Sequence, residues 1–132
     1  MINRMITPQG FSPITPYIFA ADARAYIAFL TAAFSAQEIG RTTAPEGQIS
    51  NCQLQIATSN FMICQANTPF PPSSAAFLLY VDDAAATLQT ATQAGATAFM
   101  PVEDMPYGDR QGGVRDPSGN IWFITQRLTH EP

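Results

Sequence analysis

Thr15-Pro16-Tyr17-Ile18-Phe19-Ala20, followed by Ala21-Asp22 and an alanine-rich run to Phe34, has a counterpart later in the chain. The second copy reads Ala76-Phe77-Leu78-Leu79-Tyr80-Val81, then Asp82-Asp83 and an alanine-rich run to Ala94. With Asp22 aligned on Asp83 the copies stand 61 positions apart in a chain of 132, which points to a tandem duplication. Each opening run is short, aromatic and β-branched and favours a strand. Asp22, and Asp82 or Asp83, then predict N-caps, because a carboxylate accepts from amides that the first helical turn leaves unpaired. Ile27, Leu30 and Phe34 recur at i, i+3 and i+7 and predict one buried stripe. Leu88, Ala91 and Ala94 repeat that stripe more weakly, and Gly95 is placed to stop the second helix in a left-handed conformation.

Working outward, each helix precedes a set of strands. In the first half these are expected at 38–43, 49–56 and 60–65, with turns at Pro45-Glu46-Gly47 and Ala57-Thr58. In the second half they are expected at 98–102, 112–115 and 120–126, and Asp116-Pro117-Ser118-Gly119 carries a strong hairpin signal. The Pro- and Ser-rich segment 67–74 reads as a linker between a first module at about 11–66 and a second at about 75–127. Half a chain of this size buries too little to stand alone, so the modules are expected to form one domain spanning 1–132. The predicted fold is α/β, of the α+β kind: two tandem βαβββ modules forming a cupped mixed sheet with helices on the outside.

Charge and composition remove several functions. The formal net charge is −4, all six cations are Arg, and Lys is absent. A basic footprint for a phosphate backbone is therefore missing, which argues against nucleic acid as a partner. Without Lys there is neither a Walker-type phosphate loop nor Schiff-base chemistry. The single His, His130, lies next to the C-terminus and is a poor centre for acid–base catalysis. No apolar run is long enough for a membrane span, and residues 1–11 do not resemble a secretion signal, so a cytoplasmic location is expected. Cys52 and Cys64 then read as buried free thiols.

The arrangement resembles the vicinal-oxygen-chelate superfamily, which includes glyoxalase I, extradiol dioxygenases and bleomycin-resistance proteins, and within it the PhnB-like glyoxalase/bleomycin-resistance branch. The match is carried by Thr15-Pro16-Tyr17, Pro101-Val102-Glu103-Asp104, Tyr107-Gly108-Asp109-Arg110, Gly113-Val114-Arg115-Asp116-Pro117, and Gly119 with Trp122. It runs from about Phe11 to Gln126 and is most specific in its late part. Catalytic members hold one divalent metal on the first and last strands of each module. By motif, those four places fall near Thr15, Met62, Ala76 and Phe123, a set poorly suited to a hard or borderline cation. Where PhnB-like relatives often carry His and Glu, this chain has Asn51, Gln53 and Asn120. The resemblance therefore implies the family's cup without its metal, and no catalytic residue, metal or cofactor is assigned.

Strand side chains alternate faces, so residues sharing parity with the family's ligand positions are expected to point into the cup. These are Thr15, Tyr17, Phe19, Met62, Cys64, Leu78, Tyr80, Phe123 and Thr125, with Ile18, Leu79, Val81, Trp122 and Ile124 beneath the helices. The expected ligand-binding residues are Tyr17, Phe19, Met62, Tyr80, Phe123, Arg110, Asn51 and Gln53. Arg110, in a segment read as a loop, either grips an anionic group at the mouth or pairs with Asp109 or Asp116. Glu103 and Asp104 read as a solvated rim. The favoured function is a metal-free protein sequestering a small aromatic or apolar molecule, and the resemblance implies a homodimer. The alternatives are a lyase, isomerase or dioxygenase with a non-standard metal site, and a dimeric interaction module without a small-molecule ligand.

Overall fold

Both helices begin on the aspartates that mark the repeat. Asp22 accepts a hydrogen bond from Ala25 N at 3.1 Å, and Asp83, rather than Asp82, accepts one from Ala86 N at 3.0 Å. The computed structural model describes residues 6–129, so His130 lies outside the described residues. The first module comprises β1 (Tyr17–Ala20), α1 (Ala23–Phe34), β2 (Gln37–Thr43), β3 (Ile49–Ile56) and β4 (Ser59–Gln65). The second comprises β5 (Ala76–Tyr80), α2 (Ala84–Gln93), β6 (Thr97–Asp104), β7 (Asp109–Arg115) and β8 (Ile121–Arg127). Each module is thus βαβββ. No helix among the described residues is long and apolar enough to cross a membrane.

The strands form two four-stranded mixed sheets, ordered β1-β4-β3-β2 and β5-β8-β7-β6. Only the β1–β4 and β5–β8 pairs are parallel. The duplication persists in the register: Tyr17 faces Met62 and Leu78 faces Phe123. It also persists in a device the sequence did not reveal. Gln65 Oε1 accepts from Ala23 N and Gln126 Oε1 accepts from Ala84 N, each at 3.0 Å. The last strand of each module therefore supplies a second acceptor to the start of that module's helix.

Alternation along the strands sorts the core. Ile18, Ala20, Leu54 and Ile63 of the first sheet, and Val114, Trp122 and Ile124 of the second, are buried together with both helices. The buried face of α1 is wider than the expected stripe, because Tyr26, Phe29 and Ala33 are buried along with Ile27, Leu30 and Phe34. The extra width serves the second module. The Tyr26 hydroxyl donates to Asp116 Oδ2 at 2.7 Å and accepts from Asn120 Nδ2 at 3.0 Å. Phe34 packs on Trp122 with ring centroids 4.7 Å apart. Asn120 is almost wholly buried in this junction, and its Oδ1 accepts from Ala75 N.

One predicted loop is shorter than expected. Asp109 and Arg110 belong to β7, and the turn closes earlier, with Met105 N donating to Asp109 O and Gly108 N to Met105 O. The polar, glycine-containing run from Asp109 to Gly113 has little intrinsic strand preference; pairing with β6 and β8 on its two sides overrides it.

Burial, with the Asp116 carboxylate alongside, holds the Tyr26 hydroxyl well above its ordinary value near 10. The folded chain keeps this proton where the unfolded chain releases it. The stabilisation is therefore complete below the unfolded value and declines by about 1.4 kcal/mol per pH unit above about pH 10. Burial raises both cysteine thiols as well, and they act with the same sign. Urea titrations at alkaline pH should show Tyr26→Phe losing about one proton's worth of that slope relative to the parent. An unchanged slope would mean that Tyr26 does not titrate differently in the folded chain.

Candidate functional site

The face of each sheet that turns away from its helix is aromatic. In the first sheet, register places Tyr17 and Phe19 of β1 beside Met62 and Cys64 of β4, and Gln53 of β3 opposite Met62. In the second it places Leu78 and Tyr80 of β5 beside Phe123 and Thr125 of β8. Tyr17 is 45% exposed, Leu78 50% and Tyr80 56%, while Ile18, next to Tyr17, is 3% exposed and Phe77 and Leu79, which flank Leu78, are half-buried. These helix-free faces are open in a single chain.

Each face has its own polar setting. On the first, Asn51 Nδ2 donates to the Tyr17 hydroxyl at 3.1 Å and approaches Met62 Sδ at 3.5 Å. Tyr17 and Phe19 lie 5.5 Å apart, and Phe19 and Phe70 5.3 Å. On the second, the Arg127 guanidinium pairs with buried Asp109 and lies 5.8 Å from the Tyr80 ring centroid. Beneath them Thr125 Oγ1 donates to Gln111 Oε1 at 3.0 Å. Phe99 lies across Gly113, where an added Cβ would come within 2.5 Å of its ring, and meets Phe123 edge-on at 6.1 Å.

Of the residues expected to bind a ligand, Tyr17, Phe19, Met62, Asn51 and Gln53 share the helix-free face of the first sheet. Tyr80 and Phe123 share that of the second. Arg110 joins neither. It stands opposite Gln126, whose amide caps α2, and therefore lies on the helix side of the second sheet. Its partner is also not one of those expected: Arg110 pairs with Asp104 at 2.7 Å, whereas Asp109 is taken by Arg127 and Asp116 by Tyr26 and Trp122. The Arg110 contact holds the Asp104 carboxyl below the usual carboxylate range. Phe99, Gln111 and Arg127 carry no signal in the sequence reading, and Asp109 enters it as an expected partner of Arg110. Their position depends on cross-strand register, and the one local signal is Gly113, which leaves room for the Phe99 ring.

Residues 10–124 match the Glyoxalase/Bleomycin resistance protein/Dioxygenase superfamily. The chain belongs to this superfamily. An uncharacterised protein of Mycobacterium bovis is 33% identical over 124 residues, which cover 86% of this chain and 82% of that one. A Mycobacterium tuberculosis relative, also uncharacterised, is 33% identical over the same share of this chain and 73% of its own. Among solved structures, TioX from Micromonospora sp. ML1 shares the fold with a TM-score of 0.73 at 24% identity, covering 92% of this chain and all of that one. TnmS3 of Streptomyces sp. CB03234, an antibiotic binding protein, has a TM-score of 0.69 at 19% identity, covering 95% and 99%. A PhnB protein from Bacillus cereus has a TM-score of 0.64 at 18% identity, covering 87% and 99%.

The superfamily's divalent metal does not fit the residues present here. The four places that the resemblance assigns to it fall near Thr15, Met62, Ala76 and Phe123, which offer a hydroxyl, a thioether already approached by an amide N–H, a methyl and a ring. Among the described residues no three His, Cys, Asp or Glu side chains come together. The two thiols offer no substitute chemistry. Cys52 and Cys64 are free and buried, and alternation from the Cys52–Ile63 pair sends their side chains to opposite faces. Burial, reinforced at Cys52 by Glu38, raises both, the opposite of the shift that activates a thiolate.

Proposed function

We propose that this chain is a metal-free binding protein that sequesters a small, neutral, aromatic or apolar molecule between helix-free sheet faces, and that it does so as a homodimer in the cytoplasm. The observation that carries the reading is the pair of half-exposed aromatic faces at register-equivalent positions, Tyr17 with Met62 and Leu78 with Phe123. Rings supply large contact area at low entropic cost, and the amides of Asn51 and Gln53 can orient a ligand without adding charge. Exposed apolar faces of this kind mark surfaces that something else covers. A second copy covering them converts open faces into a cup, and ligand contacts then come from Tyr17, Phe19, Met62, Tyr80 and Phe123. Arg110 stands outside this set. TnmS3, described as antibiotic binding, has the same fold and makes an antibiotic-like ligand a reasonable class to test. Two reduced thiols suit a cytoplasmic location.

The experiment has three parts. Light scattering should give about twice the chain mass of 14.3 kDa. Elemental analysis of protein purified without chelator should find no stoichiometric Zn, Ni, Mn or Fe. A thermal-shift panel of neutral planar aromatics should yield stabilising compounds, and Tyr80→Ala should weaken the best of them by about tenfold. One metal per chain, with activity lost on chelation, would replace this reading by an enzyme. A dimer that none of the compounds stabilises would leave an interaction module without a ligand.

A further inference from the structure

The duplication puts an equivalent cross-strand row on each helix-free face, and the two rows differ in kind at their third place. In the first sheet the row runs Tyr17, Met62, Gln53 and Gly40, across β1, β4, β3 and β2. In the second it runs Leu78, Phe123, Gly113 and Met100, across β5, β8, β7 and β6. Where the second module has Gly113 covered by the Phe99 ring, the first has a carboxamide beside a bare glycine. The second row is apolar throughout. The first ends in a polar notch.

Gln53 defines that notch. It alternates with buried Cys52 and Leu54, so its half-buried side chain points to the helix-free face. Its Oε1 lies near Gly40, where an added Cβ would meet it at 3.6 Å, and the glycine leaves that flank uncovered. Asn51, two residues before it on the same face, gives its N–H to the Tyr17 hydroxyl. Gln53 makes no side-chain hydrogen bond among the described residues, and both ends of its amide reach the surface. When a ligand covers this face, water leaves the amide, and a donor and acceptor left unmatched there carry their full desolvation penalty.

We infer, building on the reading of the helix-free faces as a cup, that Gln53 selects the ligand, and that the ligand is an uncharged, flat, fused two-ring heterocycle of the lactam class. Its N–H donates to Gln53 Oε1, its adjacent carbonyl accepts from Gln53 Nε2, and its rings lie along Met62 towards Tyr17. Three features set this class. A carboxamide holds its oxygen and its N–H in one plane, so a single edge with neighbouring donor and acceptor satisfies both, as in carboxamide recognition of adenine. Neither row contains a carboxylate or a cation, so a charged ligand would be stranded without a partner. From the Tyr17 strand to the Gln53 strand is two strand spacings, about 10 Å, which two fused rings fill.

Carbostyril, the lactam of quinoline, and quinoline itself share the fused rings, and only carbostyril has an N–H beside its acceptor. In calorimetric titration of the full chain, carbostyril should bind about tenfold more tightly, since quinoline leaves Gln53 Oε1 unpaired. Gln53→Met, which keeps an unbranched side chain and removes the amide, should erase that preference while retaining quinoline. On the unmodified protein, carbostyril should shift the NMR signals of the Gln53 side-chain amide more than quinoline does, a readout that holds even if Gln53→Met does not fold. Equal affinity for the two compounds, a preference that survives Gln53→Met, or a Gln53 amide unmoved by carbostyril would each overturn the selection by Gln53 and leave the cup standing. Binding of neither compound at millimolar concentration would overturn the selection and count against the cup as well.

Discussion

Asp116→Ala is expected to lower the unfolding free energy by about 3–5 kcal/mol, a large share of the stability of a domain this size. Asp116 is 4% exposed and accepts four hydrogen bonds. Tyr26 Oη and Trp122 Nε1 reach Oδ2 at 2.7 and 2.9 Å, and the backbone amides of Ser118 and Asn120 reach Oδ1, each at 2.9 Å. Alanine strands these donors in a site where water has little access, and the full desolvation penalty then falls on each. Two of the donors hold the β7–β8 turn. The Tyr26 hydroxyl comes from the other module, so the substitution also loosens the junction between them. Tyr26→Phe alone should cost about 1–2 kcal/mol, because it removes one donor from Asp116 and the acceptor of Asn120 Nδ2. The double variant should fall short of additivity by about 1 kcal/mol or more, as expected for groups in direct contact. Urea unfolding followed by tryptophan fluorescence and circular dichroism measures all three. Coincident curves would fit the two modules unfolding as one unit. A loss below about 1 kcal/mol for Asp116→Ala would show that the turn rebuilds without the carboxylate.

The tandem plan was legible because it is written locally. A strand run, a capping aspartate and an apolar stripe recur at one spacing, and each has a short-range physical cause. The faces of the strands were legible for a related reason: strand side chains alternate, so fixing Tyr17 outward fixes Ile18 inward, and the structure agrees. Contacts between distant segments were not legible. Asp116-Pro117-Ser118-Gly119 read as a turn, and it is one, but nothing near it in sequence indicates that Tyr26, 90 residues earlier, fills the remaining lone pair of Asp116. Arg110 shows the same limit. Its neighbours in sequence suggested Asp109, yet adjacent strand residues point apart, and its partner is Asp104 across the β6–β7 pair. Asp109 in turn faces Arg127 across the β7–β8 pair. Register decides such pairings, and the polar composition of β7 concealed even the start of the strand.

Trp122→Ala and Phe123→Ala should separate the two faces of β8 most sharply. The Trp122 ring is 4% exposed, lies 4.7 Å from Phe34 and 4.6 Å from Phe77, and donates its N–H to Asp116. Truncation removes a large buried ring, opens a cavity between the modules and leaves Asp116 with one donor fewer. The expected loss is about 3–5 kcal/mol. Phe123, one residue along, faces the opposite way. It is half-buried, stands opposite Gly113 and Leu78, and meets Phe99 only edge-on. Its truncation should cost no more than about 1–2 kcal/mol, since part of the ring is already solvated. On the proposed reading Phe123→Ala should nonetheless weaken the best planar aromatic by about tenfold, because that ring belongs to the cup. Denaturation midpoints set beside ligand affinities for the two variants make the comparison. If Phe123→Ala proves the more destabilising, the assignment of faces is inverted. If it is well folded and binds the ligand as tightly as the parent, the second sheet's helix-free face is not where the ligand sits.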